Sequence, residues 1–173
     1  MSTRIVREKG DEILNKKSKD VVELTDRLKE LILDMKETMV QSKGCGLAAV
    51  QVGVLRSIIV VQPEEGKEIY TFINPKIIWE SSEKEKGVEG CLSVKGKKGI
   101  VERAKSIKFV AKDENMQDKE YEATDFLARI VQHEVDHLEG NLYTEKVDGK
   151  LYNVDEKIPG FEDDDDKIKE EKE

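Results

Sequence analysis

The sequence predicts an α+β fold in one domain. Helical periodicity covers residues 25–41, segments rich in β-branched and aromatic residues occupy the middle of the chain, and a second helical pattern follows at 123–140. A helix, several strands joined by turns and a closing helix are typical of an α+β domain with antiparallel strands. A chain of 173 residues is long enough to bury a substantial core.

The first helix is predicted over residues 25–41. Thr25 or Asp26 is suited to cap its start, and Gly44 is suited to end it. Apolar residues at helical spacing predict that this helix packs on the sheet through Leu28, Leu31, Ile32, Met35 and Met39.

Strand-forming residues fill the middle of the chain. They occur over 56–62, 68–80, 99–113 and 119–124. Asn74-Pro75 is expected to divide segment 68–80 into two strands, because proline cannot donate to a strand ladder.

The second helical pattern contains the sharpest chemical signal, HEVDH at 133–137. Thr124 or Asp125 is expected to cap this helix and Gly140 to end it. Histidines four residues apart project from the same side of a helix, so both can reach one metal ion, and the intervening Glu can take a proton from water beside that ion. The alternative is a pair of histidines on a solvated helix face.

A catalytic metal site usually has three protein ligands, so a third is expected from elsewhere in the chain. Cys91, in VEGCLSV at 88–94, is the candidate, with a buried structural cysteine as the alternative. The segment GCGLAAVQVG at 44–53 contains small residues that allow close approach of a ligand, and Gln51 offers a side-chain amide. It lacks both the phosphate-loop and the dinucleotide-binding patterns.

Three segments together resemble the motifs of the peptide deformylases. They are GCGLAAVQ at 44–51, EGCLS at 89–93 and QHEVDHLEG at 132–140, and GDEILNKKSKDV at 10–21 is similar to the family's N-terminal segment. The resemblance covers roughly residues 4–147. It implies antiparallel strands around a central metal-binding HExxH helix. It also implies a metal-dependent hydrolase that removes the formyl group from N-terminal formylmethionine, giving formate and a free amino terminus.

The resemblance also implies a role for each matching residue. Cys91, His133 and His137 would bind one divalent metal ion, usually Fe²⁺, with Zn²⁺, Ni²⁺ or Co²⁺ able to substitute. Glu134 would act as general base and then as acid.

Other matching positions would bind the substrate. The amide of Gln51 and the backbone N–H of Leu92 would stabilise the developing oxyanion. The backbone around Gly46 would pair with the substrate as an added strand, and the methionine pocket would be lined by Cys45, Phe126 and Ile130. From the residues themselves, Asp136 and Arg103 are expected to form a supporting pair, with two unrelated surface charges as the alternative.

Three positions depart from the family pattern. Lys95 and Glu12 replace prolines that are common in the family, and Arg129 stands where some members have an apolar pocket residue. None of these positions is a proposed ligand, so activity is expected to survive.

Composition limits the partners of the chain. It is 37% hydrophobic and 39% charged with a net charge of −8, which disfavours nucleic acid as a direct partner. No apolar run reaches the roughly 20 residues that span a membrane, and no signal peptide is apparent. We therefore expect a cytoplasmic protein with both cysteines reduced, and the resemblance implies a protein of bacterial type. N-formylmethionyl nascent peptides are the implied partners, together with a transient association with the ribosome.

Charge also predicts the domain boundary. Residues 162–173 hold eight acids and three lysines, a net charge of −5, and one apolar residue. Such a segment cannot bury enough surface to fold, so we expect a catalytic domain at 1–161 and a disordered acidic tail at 162–173. A functional acidic arm and an engineered protease site are the alternatives.

Two other function classes fit part of the pattern. A general metallopeptidase would also contain HExxH, but the EGCLS segment and its cysteine disfavour that class. A non-catalytic relative that captures a metal or a peptide would be expected to lack Glu134, Gln51 or a ligand, and all of these are intact.

Overall fold

The computed structural model of the protein describes residues 2–161. The predicted acidic tail at 162–173 lies outside the described residues. Within the described part, no helix is both long enough and apolar enough to cross a membrane.

The first helix, α1, spans Asp26–Gln41. The side-chain oxygen of Thr25 accepts a hydrogen bond from the N–H of Leu28, which satisfies one of the free donors of the first turn. The helix ends at Gln41, as predicted, but Lys43 and not Gly44 adopts the left-handed conformation after it, with φ of 57°. The predicted apolar face is confirmed, and the helix packs on the first two strands through a face that includes the buried Leu31, Ile32, Met35 and Met39.

Within residues 2–161, eight strands form two antiparallel sheets. They are β1 (Gly46–Ala48), β2 (Ile58–Val61), β3 (Tyr70–Glu80), β4 (Lys84–Cys91), β5 (Val94–Ala104), β6 (Ser106–Lys112), β7 (Asp118–Thr124) and β8 (Tyr152–Asn153). The first sheet has the order β1-β2-β3-β6-β7 and the second has the order β4-β5-β8. Strand β1 therefore lies at the edge of the larger sheet.

Strand β3 is continuous, so the prediction of two strands divided at Asn74-Pro75 is wrong. Asn74 adopts a φ of 53°, and the pairing with β6 shifts register between Ile73 and Lys76. The Asn74 side chain accepts from the N–H of Val21 (2.7 Å) and donates to its carbonyl (2.8 Å). The proline, which has no N–H, is accommodated as a bulge because these bonds hold the irregular backbone.

Two further strand predictions are corrected. The segment 99–113 is divided at Lys105 into the end of β5 and the whole of β6, which belong to different sheets. Strand β4 was not predicted, since its sequence KEKGVEGC is charged and rich in glycine. It forms because it pairs with β5 along nearly its full length.

The second helix, α2, spans Asp125–Leu138 and contacts strands of both sheets. Its N-cap is Thr124, whose side chain makes no capping hydrogen bond, and Gly140 follows the helix with φ of 84°. The buried side chains of α2 include both apolar core residues and His133, Glu134 and His137. The fold is thus α+β, as predicted.

Candidate metal and catalytic site

Cys91, His133 and His137 meet at the end of strand β4. One potential ligand atom from each residue lies within 4.8 Å of the others, and Nε2 of His137 is 3.3 Å from the Cys91 Sγ. Bonds of roughly 2.0–2.3 Å to a tetrahedral ion place ligand atoms roughly 3.4–3.8 Å apart, so small side-chain movements suffice to enclose one ion. A thiolate and two imidazoles are suitable donors for a first-row transition metal. The residues present therefore fit a single metal ion.

Helix α2 positions the two histidines one turn apart. Their ring centroids are 5.1 Å from each other, and His137 is fully buried. The ring of Tyr143, also buried, stacks on His133 with a centroid distance of 5.7 Å. These contacts limit the rotation of both imidazoles.

Glu89 orients the His133 ring. Its Oε1 lies 2.8 Å from Nδ1 of His133, which leaves Nε2 free to bind a metal. The same carboxylate accepts two hydrogen bonds from Arg103 (2.6 and 2.9 Å) and one from Arg129 (2.7 Å). Burial raises the pKa of Glu89, but the hydrogen bonds from His133 and Arg103 outweigh this effect and hold that pKa at about 2. Glu89 is therefore a buried anion that neutralises its cationic neighbours.

The expected pair between Asp136 and Arg103 is confirmed. Arg103 Nη1 lies 2.9 Å from Oδ2 of Asp136, and Lys146 Nζ lies 3.0 Å from the same oxygen. Arg103 thus connects helix α2 to Glu89 at the end of β4, and it is only 5% exposed. A planar guanidinium that bonds two carboxylates fixes their relative positions.

Glu134 is a buried carboxylate beside the histidines. Its Oε1 lies 3.8 Å from Nε2 of His133, and its Oε2 is buried without a hydrogen-bond partner within the described residues. Burial raises the pKa of Glu134 to about 7, although the charge of His133 opposes the shift. A carboxyl group with a pKa near neutrality is suited to proton transfer.

A glycine makes room for this carboxylate. A Cβ placed on Gly46 would lie 2.9 Å from Cγ2 of Ile130 and 3.0 Å from Cγ of Glu134. Both distances are shorter than ordinary van der Waals contacts. The close approach of β1 to α2 therefore depends on a residue without a side chain.

Gln51, the last residue of the motif at 44–51, bridges that segment to residues 91–93. Its Oε1 accepts from the N–H of Ala48 (2.9 Å), and its Nε2 donates to Oγ of Ser93 (3.0 Å). The same nitrogen is 3.5 Å from the Cys91 Sγ. The amide is therefore fixed in orientation, with its N–H groups directed toward the site.

Nine of the ten predicted site residues line one cleft of about 810 Å³. His137 is fully buried and does not border the cleft, but it is within the cluster formed with Cys91 and His133. The cleft is bordered by the predicted residues Cys45, Gly46, Gln51, Cys91, Leu92, Phe126, Ile130, His133 and Glu134. The structure thus brings all ten predicted positions together.

Arg129, which departs from the family pattern, is held by several partners. Its guanidinium bonds Glu89 and also donates to the carbonyls of Val101 (2.9 Å) and Glu85 (2.8 Å). It lies over Gly87, where a Cβ would be 2.8 Å from the guanidinium carbon. Arg129 therefore lines the cleft while its charge is bound to Glu89 and backbone oxygens.

Sequence reasoning missed Glu89 and Tyr143. Glu89 stands in EGCLS only two residues before Cys91. An acidic residue so close to a predicted ligand could have been predicted to accept a hydrogen bond from one of the metal-binding histidines. No comparable signal marked Tyr143, which reaches His133 only because the chain turns back after α2.

An α+β fold that encloses a Cys-His-His cluster beside a buried glutamate defines a metal-dependent hydrolase. The sequence model of the polypeptide deformylases matches residues 3–152. The peptide deformylase of Finegoldia magna is 48% identical over 149 residues, which are 85% of this chain and 91% of that protein. That of Agathobacter rectalis is 46% identical over 89% of this chain and 96% of its own length.

Solved structures agree with these relatives. The crystal structure of peptide deformylase from Thermotoga maritima has a TM-score of 0.82 at 35% identity, covering 85% of this chain and 99% of that one. The chain therefore belongs to the polypeptide deformylase family. The family consists of single-metal hydrolases that remove the N-formyl group from nascent peptides.

Proposed function

We propose that this enzyme deformylates N-formylmethionyl nascent chains with a metal ion held by Cys91, His133 and His137, and with Glu134 as the proton-transfer group. One observation carries the proposal: Glu134 is a buried carboxylate beside this cluster, its pKa is raised to about 7, and one of its oxygens has no partner within residues 2–161. When bound, a divalent metal ion supplies Lewis acidity that lowers the pKa of water and polarises a carbonyl oxygen.

Glu134 has the location that a general base needs. It borders the cleft and lies next to His133, so water beside the cluster is within reach of its carboxylate. After accepting a proton from the attacking water, Glu134 gives that proton to the leaving amine. The products are formate and a free methionine amine.

The developing negative charge requires hydrogen-bond donors. We assign this role to the Gln51 amide and to the backbone N–H of Leu92. Support comes from the orientation of Gln51, whose Nε2 is 3.5 Å from the Cys91 Sγ and whose Oε1 is held by Ala48. Donors fixed before the reaction need little reorganisation as charge develops.

The substrate backbone is assigned to the edge of β1. This strand pairs with β2 on one side only, and Gly46 borders the cleft. An extended peptide can add to such an edge as a further strand. Cys45, Phe126 and Ile130, which also border the cleft, are assigned to the methionine pocket.

Ferrous iron is the metal that we propose in the cell, with zinc, nickel or cobalt able to replace it. The thiolate of Cys91 and two imidazoles suit each of these ions. Because both Fe²⁺ and a thiolate are oxidisable, aerobic purification is expected to give a weakly active zinc form or an enzyme oxidised at Cys91.

The substrate sets the cellular context that we propose. Formylated chains emerge from bacterial-type ribosomes in the cytoplasm, so we assign the enzyme to that compartment and infer a transient association with ribosomes. We also propose that residues 1–161 are the catalytic domain and that a chain ending at Gly160 keeps its activity and melting temperature.

The test compares two acyl groups on one peptide. The anaerobically iron-loaded enzyme is incubated with formyl-Met-Ala-Ser and with acetyl-Met-Ala-Ser. We expect much slower release of acetate than of formate, because the additional methyl group must fit beside Glu134. Equal rates for the two acyl groups, or cleavage of the Met-Ala bond, would instead indicate a general metallopeptidase.

A further inference from the structure

One wall of the cleft lies beyond the part of the chain that the family model matches. That match ends at residue 152, whereas Val154 lines the same cleft as His133 and Glu134. Val154 follows strand β8 and is 57% exposed. An apolar side chain exposed within a binding cleft is a contact surface for a ligand.

The backbone next to Val154 is held firmly. Strand β8 pairs in antiparallel register with β5. The N–H of Val154 donates to the carbonyl of Gly96 (3.0 Å), and Nζ of Lys97 donates to Oδ1 of Asn153 (2.6 Å). The carbonyl of Asn153 also accepts from the N–H of Glu156 (3.0 Å), which closes a turn. Val154 is therefore presented to the cleft from a fixed position.

Strand β8 lies against a bulge that starts near the metal cluster. Glu89 is opposite Gly99 and Cys91 is opposite Val94, so residues 95–98 of β5 face a single residue of β4. Residues 95–97 of this bulge line the cleft. Because the bulge connects Cys91 to β8, Val154 extends the wall of the catalytic site outward.

The two lysines of the bulge, Lys95 and Lys97, do not place an unpaired amine beside Val154. Nζ of Lys95 lies 2.9 Å from Oε1 of Glu8, and Nζ of Lys97 is bound to Asn153. Ile5, which is 85% exposed, also lines the cleft. Val154 thus lies beside two lysines, Lys95 and Lys97, whose amines are already paired, and Ile5 is a second exposed apolar side chain in the same cleft.

We propose that Val154 contacts a residue downstream of the formylated methionine and makes the enzyme prefer an apolar side chain at that position. This inference rests on the proposed function and specifies its substrate class. A cleft of about 810 Å³ lies toward the upper end of the range of about 300–1,000 Å³ for small-molecule pockets, so it has room for more than one methionine.

The experiment measures kcat/KM for formyl-Met peptides in which one leucine replaces serine at the second, third or fourth position. Formyl-Met-Ala serves as the reference substrate. For wild type we expect a leucine preference at one position. In Val154→Ser that preference should fall about 3- to 10-fold, as expected for the loss of a partly buried apolar contact. Asn153→Ala removes the partner of the Lys97 amine, so this variant should also have a smaller leucine preference than wild type.

Val22→Ser is the matched control, because Val22 is 93% exposed and does not line this cleft. It should leave the leucine preference unchanged. An unchanged preference in Val154→Ser, or a uniform loss at all three positions, would overturn the inference. Turnover of formyl-Met-Ala reports separately on the proposed function, since failure of that function would abolish it in wild type as well.

Discussion

Nδ1 of His133 lies 2.8 Å from Oε1 of Glu89, a carboxylate that also binds Arg103 and Arg129. This contact joins the end of β4 to helix α2 and assigns the metal-binding role in His133 to Nε2. Because Cys91 follows Glu89 by two residues, one strand supplies both a ligand and the partner that orients another ligand.

Replacing this carboxylate tests its effect on metal binding. Glu89→Gln should weaken metal affinity by about 10- to 100-fold, as is typical when the partner of a ligating histidine is changed. Chelator competition measures the affinity. Asp136→Asn is the control, because the Asp136 carboxylate accepts from Arg103 and is not the carboxylate bonded to Nδ1 of His133, which belongs to Glu89. Wild-type affinity in Glu89→Gln would show that His133 needs no carboxylate partner.

Substitutions of Glu134 and His137 should distinguish loss of proton transfer from loss of metal binding. Glu134→Ala is expected to retain the metal and to lose about 100- to 10,000-fold in kcat, the usual contribution of a general acid–base group. His137→Ala should instead lose the metal, since His137 is a proposed ligand. Metal content and kcat are measured on both variants. Loss of metal from Glu134→Ala would contradict the assignment of Glu134 as the base.

Gly46, which contacts the proposed catalytic carboxylate of Glu134, should be intolerant of a side chain. In Gly46→Ala, the new Cβ would lie 3.1 Å from Oε1 of Glu134 and 2.9 Å from Ile130, so the carboxylate must move. We expect a fall in kcat with retained metal, because a displacement of this size disturbs proton transfer. Gly149→Ala, where nothing lies within 4 Å of the added Cβ, is the control: the φ of 90° at this position makes the substitution lower the stability, but kcat should not change. An unaltered kcat in Gly46→Ala would refute the positioning role.

The N-terminal arm should contribute a pH-dependent part of the stability. Buried Asp34 accepts hydrogen bonds from the N–H of Ser2 (2.9 Å) and from Nε of Arg4 (3.0 Å). The Ser2 N–H lowers the pKa of Asp34 most, burial opposes this effect, and Arg4 lowers it further, so the net shift is below the usual value of 3.8. A depressed carboxyl pKa stabilises the fold above the unfolded-state pKa, and this stability is lost as pH falls through the folded-state pKa.

Thermal melting of Asp34→Asn tests this contribution. Loss of the charged hydrogen bonds should cost about 1 kcal/mol, a value kept small because Arg4 is partly exposed. That cost corresponds to a Tm about 2–4 °C lower at pH 7. The difference from wild type should narrow progressively below about pH 4. A constant difference from pH 7 to pH 3 would show that Asp34 acts through packing and not through its charge.

The sequence predicted the elements with strong local patterns and missed those that depend on distant pairing. Helices α1 and α2 were found because their apolar residues repeat at helical spacing. Strand β4 was missed, since its charged residues and glycines become a strand only by pairing with β5. The bulge at Asn74 also depends on a distant contact, with Val21.

The same distinction applies to the site. The HExxH spacing identified His133 and His137 as a pair, and the resemblance to the peptide deformylases added Cys91 as the third residue of the cluster. The interaction of Glu89 with His133 joins residues 44 positions apart, and it depends on how β4 packs against α2. Val154 has no sequence signal, because its position is fixed by the pairing of β8 with the bulge in β5.

Formate release measured against bound metal tests metal-dependent deformylation at this site most directly. Metal-free enzyme is titrated anaerobically with Fe²⁺, and initial rates on formyl-Met-Ala-Ser are recorded beside the metal content of each sample. We expect the rate to rise in proportion to bound iron and to stop rising at one ion per chain, with one formate formed for each free methionine amine. His137→Ala should show no such rise. Formate release that is independent of metal content, or no release above the metal-free sample at one bound ion, would contradict this function.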